Sequence, residues 1–352
     1  MKILIPHTIN NSATANPYVR VLRDGLADCG HSVECSAKLF WESPLDWDLI
    51  FFQWPESILN QDKTKPCLEQ ISDHIEKIKN NGVKICITVH NLHPHLDNPF
   101  VSKVYDYLYS KADLFHHMGE FSRNLFENKY PNATHFIAPH PIYYDVEKLG
   151  ISVDECKIKY DVNRKKITII SFGAFRNAGE RDMILNLNKM FSNEICFWAP
   201  KLFSNAFTKK QSKNKVINKI STFVNYAKYS LQGIKMNRGI ISDNDVLPMV
   251  NAADILLIQR QDILNSGNLP LGFSAKKIVV GPNIGNVGTI LSNTGNPVFN
   301  PHDKDSLYDA ISEAMKLFRR SNYQGISNYL YAKDNWTIDR VAQIINNTLI
   351  TL

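Results

Sequence analysis

No two cysteines in this chain are spaced as a CxxC pair. The six, Cys29, Cys35, Cys67, Cys86, Cys156 and Cys196, are scattered along 352 residues. That distribution excludes a zinc ribbon or a dithiol redox motif and fits a reducing compartment. No apolar run approaches the roughly 20 residues needed to span a bilayer. The first residues, Met1-Lys2-Ile3-Leu4-Ile5-Pro6-His7, turn polar too early for a secretory signal. The expectation is a cytoplasmic protein, at most peripherally attached to the inner face of the cytoplasmic membrane. No glycine-rich loop follows the first apolar strand, and Gly173 and Gly179 do not complete a GxGxxG, which argues against a dinucleotide cofactor. RRM, KH, helix-turn-helix and zinc-finger patterns are also missing, so nucleic acid is not an expected partner. There is no internal repeat and no low-complexity tract.

Acidic residues are absent between Glu194 and Asp243, while Lys201, Lys209, Lys210, Lys213, Lys215, Lys219, Lys228, Lys235 and Arg238 all fall inside that stretch. Aromatic residues are interleaved with them, Phe203, Phe207, Phe223, Tyr226 and Tyr229 among them. Two readings stand. The segment is a solvated basic face on an insertion, or the Lys209–Arg238 part lies against anionic lipid head groups or phosphate-rich ligands.

What is present is an alternation of short apolar runs with helix-like stretches, restarted once. Lys2–Pro6, His31–Ser36, Leu49–Trp54, Val83–Val89, Leu114–Met118 and Thr134–Ala138 read as strands, with helices over Asn16–Cys29, Pro66–Asn81 and Val101–Lys111. Residues 150–165, charged and poor in apolar side chains, read as a linker. Lys166–Phe172, Ile195–Trp198, Ala253–Ile258 and Lys277–Pro282 are then further strands, with helices over Asp182–Phe191, Asp243–Ala252 and Asp305–Arg320. Strands separated by helices imply parallel sheets covered on both faces. The expected architecture is α/β, with two doubly wound Rossmann-like domains facing an interdomain cleft. Their spans are 1–155 and 156–335, with 336–352 a helix that packs back on the first.

Several segments carry candidate chemistry. His90-Asn91-Leu92-His93-Pro94-His95 follows a strand, and His116-His117 ends another. Three histidines within six residues allow a metal reading, but the only nearby acids are Asp97 and Glu120; a ligand-facing His90 among structural histidines is the competing one. Gly173 permits a tight turn near a ligand, and the guanidinium of Arg176 matches phosphate geometry. Lys201, after the next strand, shares that rim. Asn265-Ser266-Gly267 suits a helix start at the carboxyl edge of a parallel sheet, where anions bind. An ordinary βα turn accounts for the same residues.

The order of these pieces resembles the GT-B glycosyltransferases, most closely the GT4-type enzymes of bacterial exopolysaccharide, O-antigen and capsule synthesis. The matching segments are Thr88-Val89-His90-Asn91-Leu92-His93-Pro94-His95, the Gly173–Arg176 turn, Ala253–Leu257, Asp262-Ile263-Leu264-Asn265-Ser266-Gly267 and Lys277–Pro282 followed by Gly285. The resemblance implies a UDP- or GDP-linked sugar donor held by the second domain through Gly173, Arg176, Lys201, Asn265, Ser266 and Gly267. It implies a glycolipid or oligosaccharide acceptor held by the first, near Asn91 and His93, with His90 and Arg176 as the catalytic residues. Neither a cofactor nor a metal is implied, and transfer would retain configuration. Two features depart from the pattern. Gly179 and Glu180 stand where a Lys-Gly pair is usual, and the Glu-x7-Glu pair is missing, with Asp262 and Leu271-Gly272 in its region. A non-catalytic homologue that only binds nucleotide-sugar or glycan, and a metal-dependent hydrolase built on the histidines, are the alternatives.

Overall fold

The computed structural model describes residues 1–9, 17–59, 66–94, 98–202, 224–237 and 241–351. His95, Asp97 and most of the basic Lys209–Arg238 segment lie outside these residues. The chain divides into two compact units, Met1–Tyr143 with Asn335–Leu352, and Tyr144–Asp334.

In the first unit, β1 (Lys2–Ile5), β2 (Ser32–Cys35), β3 (Leu49–Phe52), β4 (Lys84–Thr88), β5 (Leu114–His117) and β6 (Thr134–Ile137) form one sheet in the order β2-β1-β3-β4-β5-β6. Every pairing is parallel. All four residues of β3 and of β5 are buried, because the crossover helices cover both faces and leave no solvent side for polar residues. The chain leaves β1 towards β2 and returns to place β3 on the other side of β1. The carboxyl ends of β1 and β3 therefore flank a topological switch point, where connections diverge and open a crevice.

The last helix, Ile338–Leu349, belongs to this unit. Val341, Ile345 and Leu349 enter the same core as Tyr18, Leu22 and Leu26 of the helix Tyr18–Asp28. Each such burial contributes roughly 1.5–3 kcal/mol. The approach is close because residue 25 is glycine: a Cβ there would stand 2.8 Å from Ile338 Cγ1.

The second unit carries β7 (Ile167–Ile170), β8 (Ile195–Trp198), β9 (Ile234–Lys235), β10 (Ile255–Leu257), β11 (Ile278–Pro282) and β12 (Val298–Phe299), in the order β12-β11-β10-β7-β8-β9. This sheet is also parallel, and its switch point lies between β7 and β10. Both halves are thus doubly wound Rossmann-like α/β units, as the strand–helix alternation implied. The helix after β7 runs over Ala178–Met190, starting earlier than Asp182 because the Asn177 side chain caps the Glu180 N–H. The helix Tyr323–Asn335 was not expected.

The linker expected over 150–165 is instead structured. Val153–Lys159 is a helix opened by a reciprocal capping box between Ser152 and Glu155. Cys156 is buried beneath it, and Lys157 reaches Asp254 at 2.7 Å. The other Asp254 oxygen accepts the Thr168 N–H at the start of β7. The segment's charges that suggested solvent are in part pairing charges.

Candidate functional site

In the second unit the site is built from the loops that leave β7 and β10 at the switch point. Ser171-Phe172-Gly173 continues β7, and Gln259-Arg260 continues β10. A Cβ at Gly173 would stand 3.0 Å from Arg260 Nη2, 3.0 Å from Asn268 Nδ2 and 3.1 Å from Gln259 Nε2. Three N–H-bearing side chains therefore converge on the one residue of this loop that has no side chain. Gln259 Nε2 donates to the Gly173 carbonyl at 2.9 Å, which sets the spacing of the two loops.

Arg260 is held rigidly. Its Nη1 donates to Glu180 Oε2 at 2.7 Å, and both side chains are buried, with Glu180 1% exposed. The same Glu180 oxygen accepts the backbone N–H of Arg176 at 2.8 Å, tying the turn to the pair. Burial pushes the Glu180 carboxyl upward, against the opposing pull of Arg260 and the Arg176 N–H. The guanidinium is thus pinned through one nitrogen while the other points to Gly173. Ser171 Oγ and Gln259 Oε1, on the same two loops, are buried and meet no partner among the described residues. Unsatisfied buried polar atoms are uncommon and cluster where ligands or waters complete the network. Fixed donors at a switch point suit a multiply charged oxyanion such as a diphosphate, whose paired oxygens the planar guanidinium fork matches.

The residues expected at this site are distributed around it. Arg176 is exposed, and its Nη1 donates to the Asp262 carbonyl at 3.3 Å. Lys201 lies over the Phe172 ring, its Nζ 4.4 Å from the centroid, and burial lowers its pKa. Asn265 accepts from Asn286 at 2.8 Å, which joins its loop to the helix Gly285–Asn293. Gly285 has φ +59°, and a Cβ there would come within 2.5 Å of the Ile263 carbonyl, so that junction requires glycine. The helix after Ser266-Gly267 spans only Asn268–Ser274, and the Ser266 hydroxyl accepts the Asn268 N–H at 3.3 Å. A short helix whose Asn268 N–H is already taken by Ser266 offers little dipole. Gln259, Arg260 and Asn268 were missed from the sequence. The available signal was a charged residue directly continuing an apolar strand, which is buried only when paired.

In the first unit a second group collects at the β1/β3 switch point. Gln53 and Trp54 follow β3, His7 follows β1, and His90 follows β4. Trp54 and His90 are stacked, centroids 4.5 Å apart and planes 16° from parallel. The His7 ring lies 5.2 Å from the Trp54 ring, tilted by 50°. Tyr18 and His90 meet edge to face, centroids 4.9 Å apart. Gln53, 1% exposed, has Oε1 3.2 Å from His90 Nε2. Asn91 is half-buried and its carbonyl accepts from Tyr109 at 3.4 Å. His93 is exposed.

The remaining histidines serve the fold. His116 donates from Nε2 to the Ala138 carbonyl, and its Nδ1 accepts from Thr88. His117 meets Ser122 and His135. Burial lowers the pKa of His116 to about 4 and that of His117 to about 3. Among the described residues no three His, Cys, Asp or Glu side chains are grouped as metal ligands. No described helix is long and apolar enough to cross a membrane.

Searched by sequence, the chain matches no family model and no curated protein. Compared by structure, it is similar to HepE (Alr3699) of Anabaena in complex with UDP-glucose, at 12% identity and a TM-score of 0.73, with both chains covered in full. It is also similar to sucrose-phosphate synthase of Thermosynechococcus elongatus, at 13% identity and a TM-score of 0.69, over 99% of this chain and 98% of that one. A UDP-forming α,α-trehalose-phosphate synthase from Burkholderia vietnamiensis gives 12% identity and a TM-score of 0.64, over 98% and 96%. At such identities the likeness bears on the fold alone, which is the two-domain GT-B architecture.

Proposed function

We propose that this chain is a glycosyltransferase that takes a hexose from a nucleotide-sugar. The observation that carries the reading is the convergence of Arg260, Asn268 and Gln259 on Gly173 at the switch point of the second unit. The GT-B architecture supports it, and the solved structures of similar fold include a protein bound to UDP-glucose.

In the reaction the bond between the sugar C1 and the diphosphate oxygen breaks, and a bond from C1 to an acceptor hydroxyl oxygen forms. The hydroxyl proton passes to the leaving phosphate oxygen. Negative charge grows on the diphosphate oxygen as the C1–O bond breaks, ahead of the proton, and preorganised cations stabilise that charge more in the transition state than in the ground state. Arg260 is the fixed cation, with Arg176 and Lys201 on the same rim. Transfer with retention, without a metal, follows the resemblance of the sequence. His90 and Asn91 are the first unit's contribution to the sugar and its acceptor, and His93 is carried only by its place in the motif. The acceptor we infer is a lipid-linked or growing surface glycan. The 209–238 run would hold the enzyme at an anionic membrane face, and neutralising Lys209, Lys210, Lys213 and Lys215 should then release it from anionic vesicles.

The test is turnover. The purified protein is incubated with UDP- and GDP-hexoses and a lipid-linked acceptor in chelator, and the anomeric proton of the product is read by NMR. Product of retained configuration supports the reading. Nucleotide-sugar binding with no product across acceptors would make the chain a binding homologue, and no binding would remove the donor site.

A further inference from the structure

We infer that the cleft between the helix Ala178–Met190 and the helix Lys304–Arg320 is a second ligand site of the second unit, and that it takes a neutral oligosaccharide. The inference goes beyond the donor reading above and does not depend on it, because saccharide binding is measured without transfer.

The cleft encloses about 510 Å³ at the carboxyl edge of the sheet, beside β12, within the usual size range of small-molecule sites. Its floor is apolar, made by the buried side chains of Met183, Phe299 and Leu307. Tyr308 lines it as well, and the Phe191 ring packs against Tyr308 with centroids 6.3 Å apart and planes at 78°. The rim is polar. Asp182 and Asn186 stand one turn apart on the first helix, Gln261 comes from the loop after β10, and Asn300 directly follows β12.

The local sequence holds these rim groups in place. Residue 179 is glycine, and a Cβ there would overlap the Gln261 amide. The Asn300 N–H donates to Ser306 Oγ at 2.9 Å, and Asn300 Oδ1 accepts the His302 N–H at 3.0 Å. That loop is thereby fixed, and Asn300 Nδ2 is left to donate elsewhere. Among the described residues, the side chains of Asp182, Asn186 and Gln261 form no hydrogen bond.

The chemistry then selects the class of ligand. The charged lining groups are Asp182, Asp303 and Lys304. They carry no positive excess, which disfavours a phosphate. A wholly apolar ligand would cover the two amides and the Asp182 carboxylate without giving them partners, which is costly. A neutral saccharide meets both demands. Its hydroxyls donate and accept, as each amide does, and its C–H face covers the apolar floor. Gln261 directly follows Arg260, and Gly179 directly precedes Glu180. The cleft therefore backs onto the pair that fixes the Gly173 cradle, and a glycan seated here is held apart from the donor phosphates.

The experiment follows the Met183 methyl. The full chain is labelled with ¹³C-methyl methionine, and the Met183 signal is assigned through Met183→Leu. Neutral trisaccharides of glucose, galactose, mannose and N-acetylglucosamine are titrated in, with inorganic pyrophosphate as the anionic probe. At least one trisaccharide is expected to shift the Met183 methyl, with UDP present as well as without it, while pyrophosphate leaves the signal in place. Asp182→Ala combined with Asn186→Ala removes two rim groups that no hydrogen bond of the fold uses. It is expected to weaken saccharide binding about tenfold, with little change in Tm. If the double variant loses stability, Gln261→Ala makes the same comparison. A Met183 methyl that no trisaccharide moves overturns the inference. So does a shift whose affinity the rim variants leave at the wild-type value, since the sugar then sits elsewhere. A Met183 shift produced by pyrophosphate and not by the sugars would make the cleft an anion site and overturn it too. If the wild type binds and transfers no nucleotide-sugar, the donor reading fails, while the Met183 titration still decides this one.

Discussion

Arg260 and Glu180 are eighty residues apart in sequence and 2.7 Å apart in the fold, both buried at the switch point of the second sheet. One guanidinium nitrogen is consumed by the carboxylate, and the other stands where a side chain at residue 173 would be. The pair converts a flexible cation into a fixed one. Replacing Arg260 by Lys keeps the charge but loses the planar fork. We expect nucleotide-sugar affinity to fall about 10- to 100-fold in Arg260→Lys, the size of a lost charge-assisted hydrogen bond. Arg260→Ala should instead destabilise the fold by about 3–5 kcal/mol, because it strands a buried carboxylate. Calorimetric titration and thermal melts separate the two effects, and Glu180→Gln combined with Arg260→Ala should recover most of the lost stability without recovering binding.

Gly173 gives a test of geometry at constant charge. Its φ is not in the left-handed region, so alanine is tolerated by the backbone, and only the three donors at 3.0–3.1 Å object. Gly173→Ala should weaken nucleotide-sugar binding by about tenfold, about 1.4 kcal/mol, with little change in Tm. A variant that binds as the wild type does would show that the donors converge on the glycine for packing alone.

The histidines of β5 predict a pH dependence of stability. His116 is fully buried and its folded pKa is lowered from 6.5 to about 4 by desolvation. Its contribution is therefore complete above pH 6.5 and is lost as pH falls towards about 4, since the unfolded chain takes up the proton first. At pH 5 this one group should cost about 2 kcal/mol relative to neutral pH. The His116 ring should show no titration by NMR between pH 8 and 5. A midpoint near 6.5 would contradict its burial.

Gly25 tests the seating of the last helix. Alanine gains about 1 kcal/mol in helix propensity, but its Cβ would meet Ile338 Cγ1 at 2.8 Å and Ala342 Cβ at 3.1 Å. Overpacking costs typically about 1–3 kcal/mol, so Gly25→Ala should lower Tm, and Ile338→Ala in the same chain should recover part of the loss.

Much of the architecture was legible because it is local. β3 and β11 are unbroken apolar runs, and helices of the sheet crossovers carry their own caps and glycine stops. The helix Val153–Lys159 was equally legible, since Ser152 and Glu155 have capping-box spacing, but its charges hid it. The helix Tyr323–Asn335 gave a weaker signal: Tyr323, Ile326 and Leu330 remain exposed, so its apolar residues do not form one buried stripe. The site divides the same way. Gly173 and the loop before Asn268 stand out as motifs, whereas Arg260 acquires meaning only through Glu180. Gln53 and Trp54 sit at the end of a strand that reads as core, and only the sheet order places them beside His7 and His90.

The second unit is proposed to bind a nucleotide-sugar through the Arg260 cradle. The most direct measurement is the thermal stability of the wild type and Arg260→Lys against UDP-, GDP-, dTDP- and CMP-sugars in chelator. A ligand at 100 times its dissociation constant adds about 2.7 kcal/mol, enough for a clear rise in Tm. One nucleotide class should stabilise the wild type, and the shift should be greatly reduced in Arg260→Lys. A wild type indifferent to all four classes, or a shift that Arg260→Lys leaves intact, would rule out binding through Arg260.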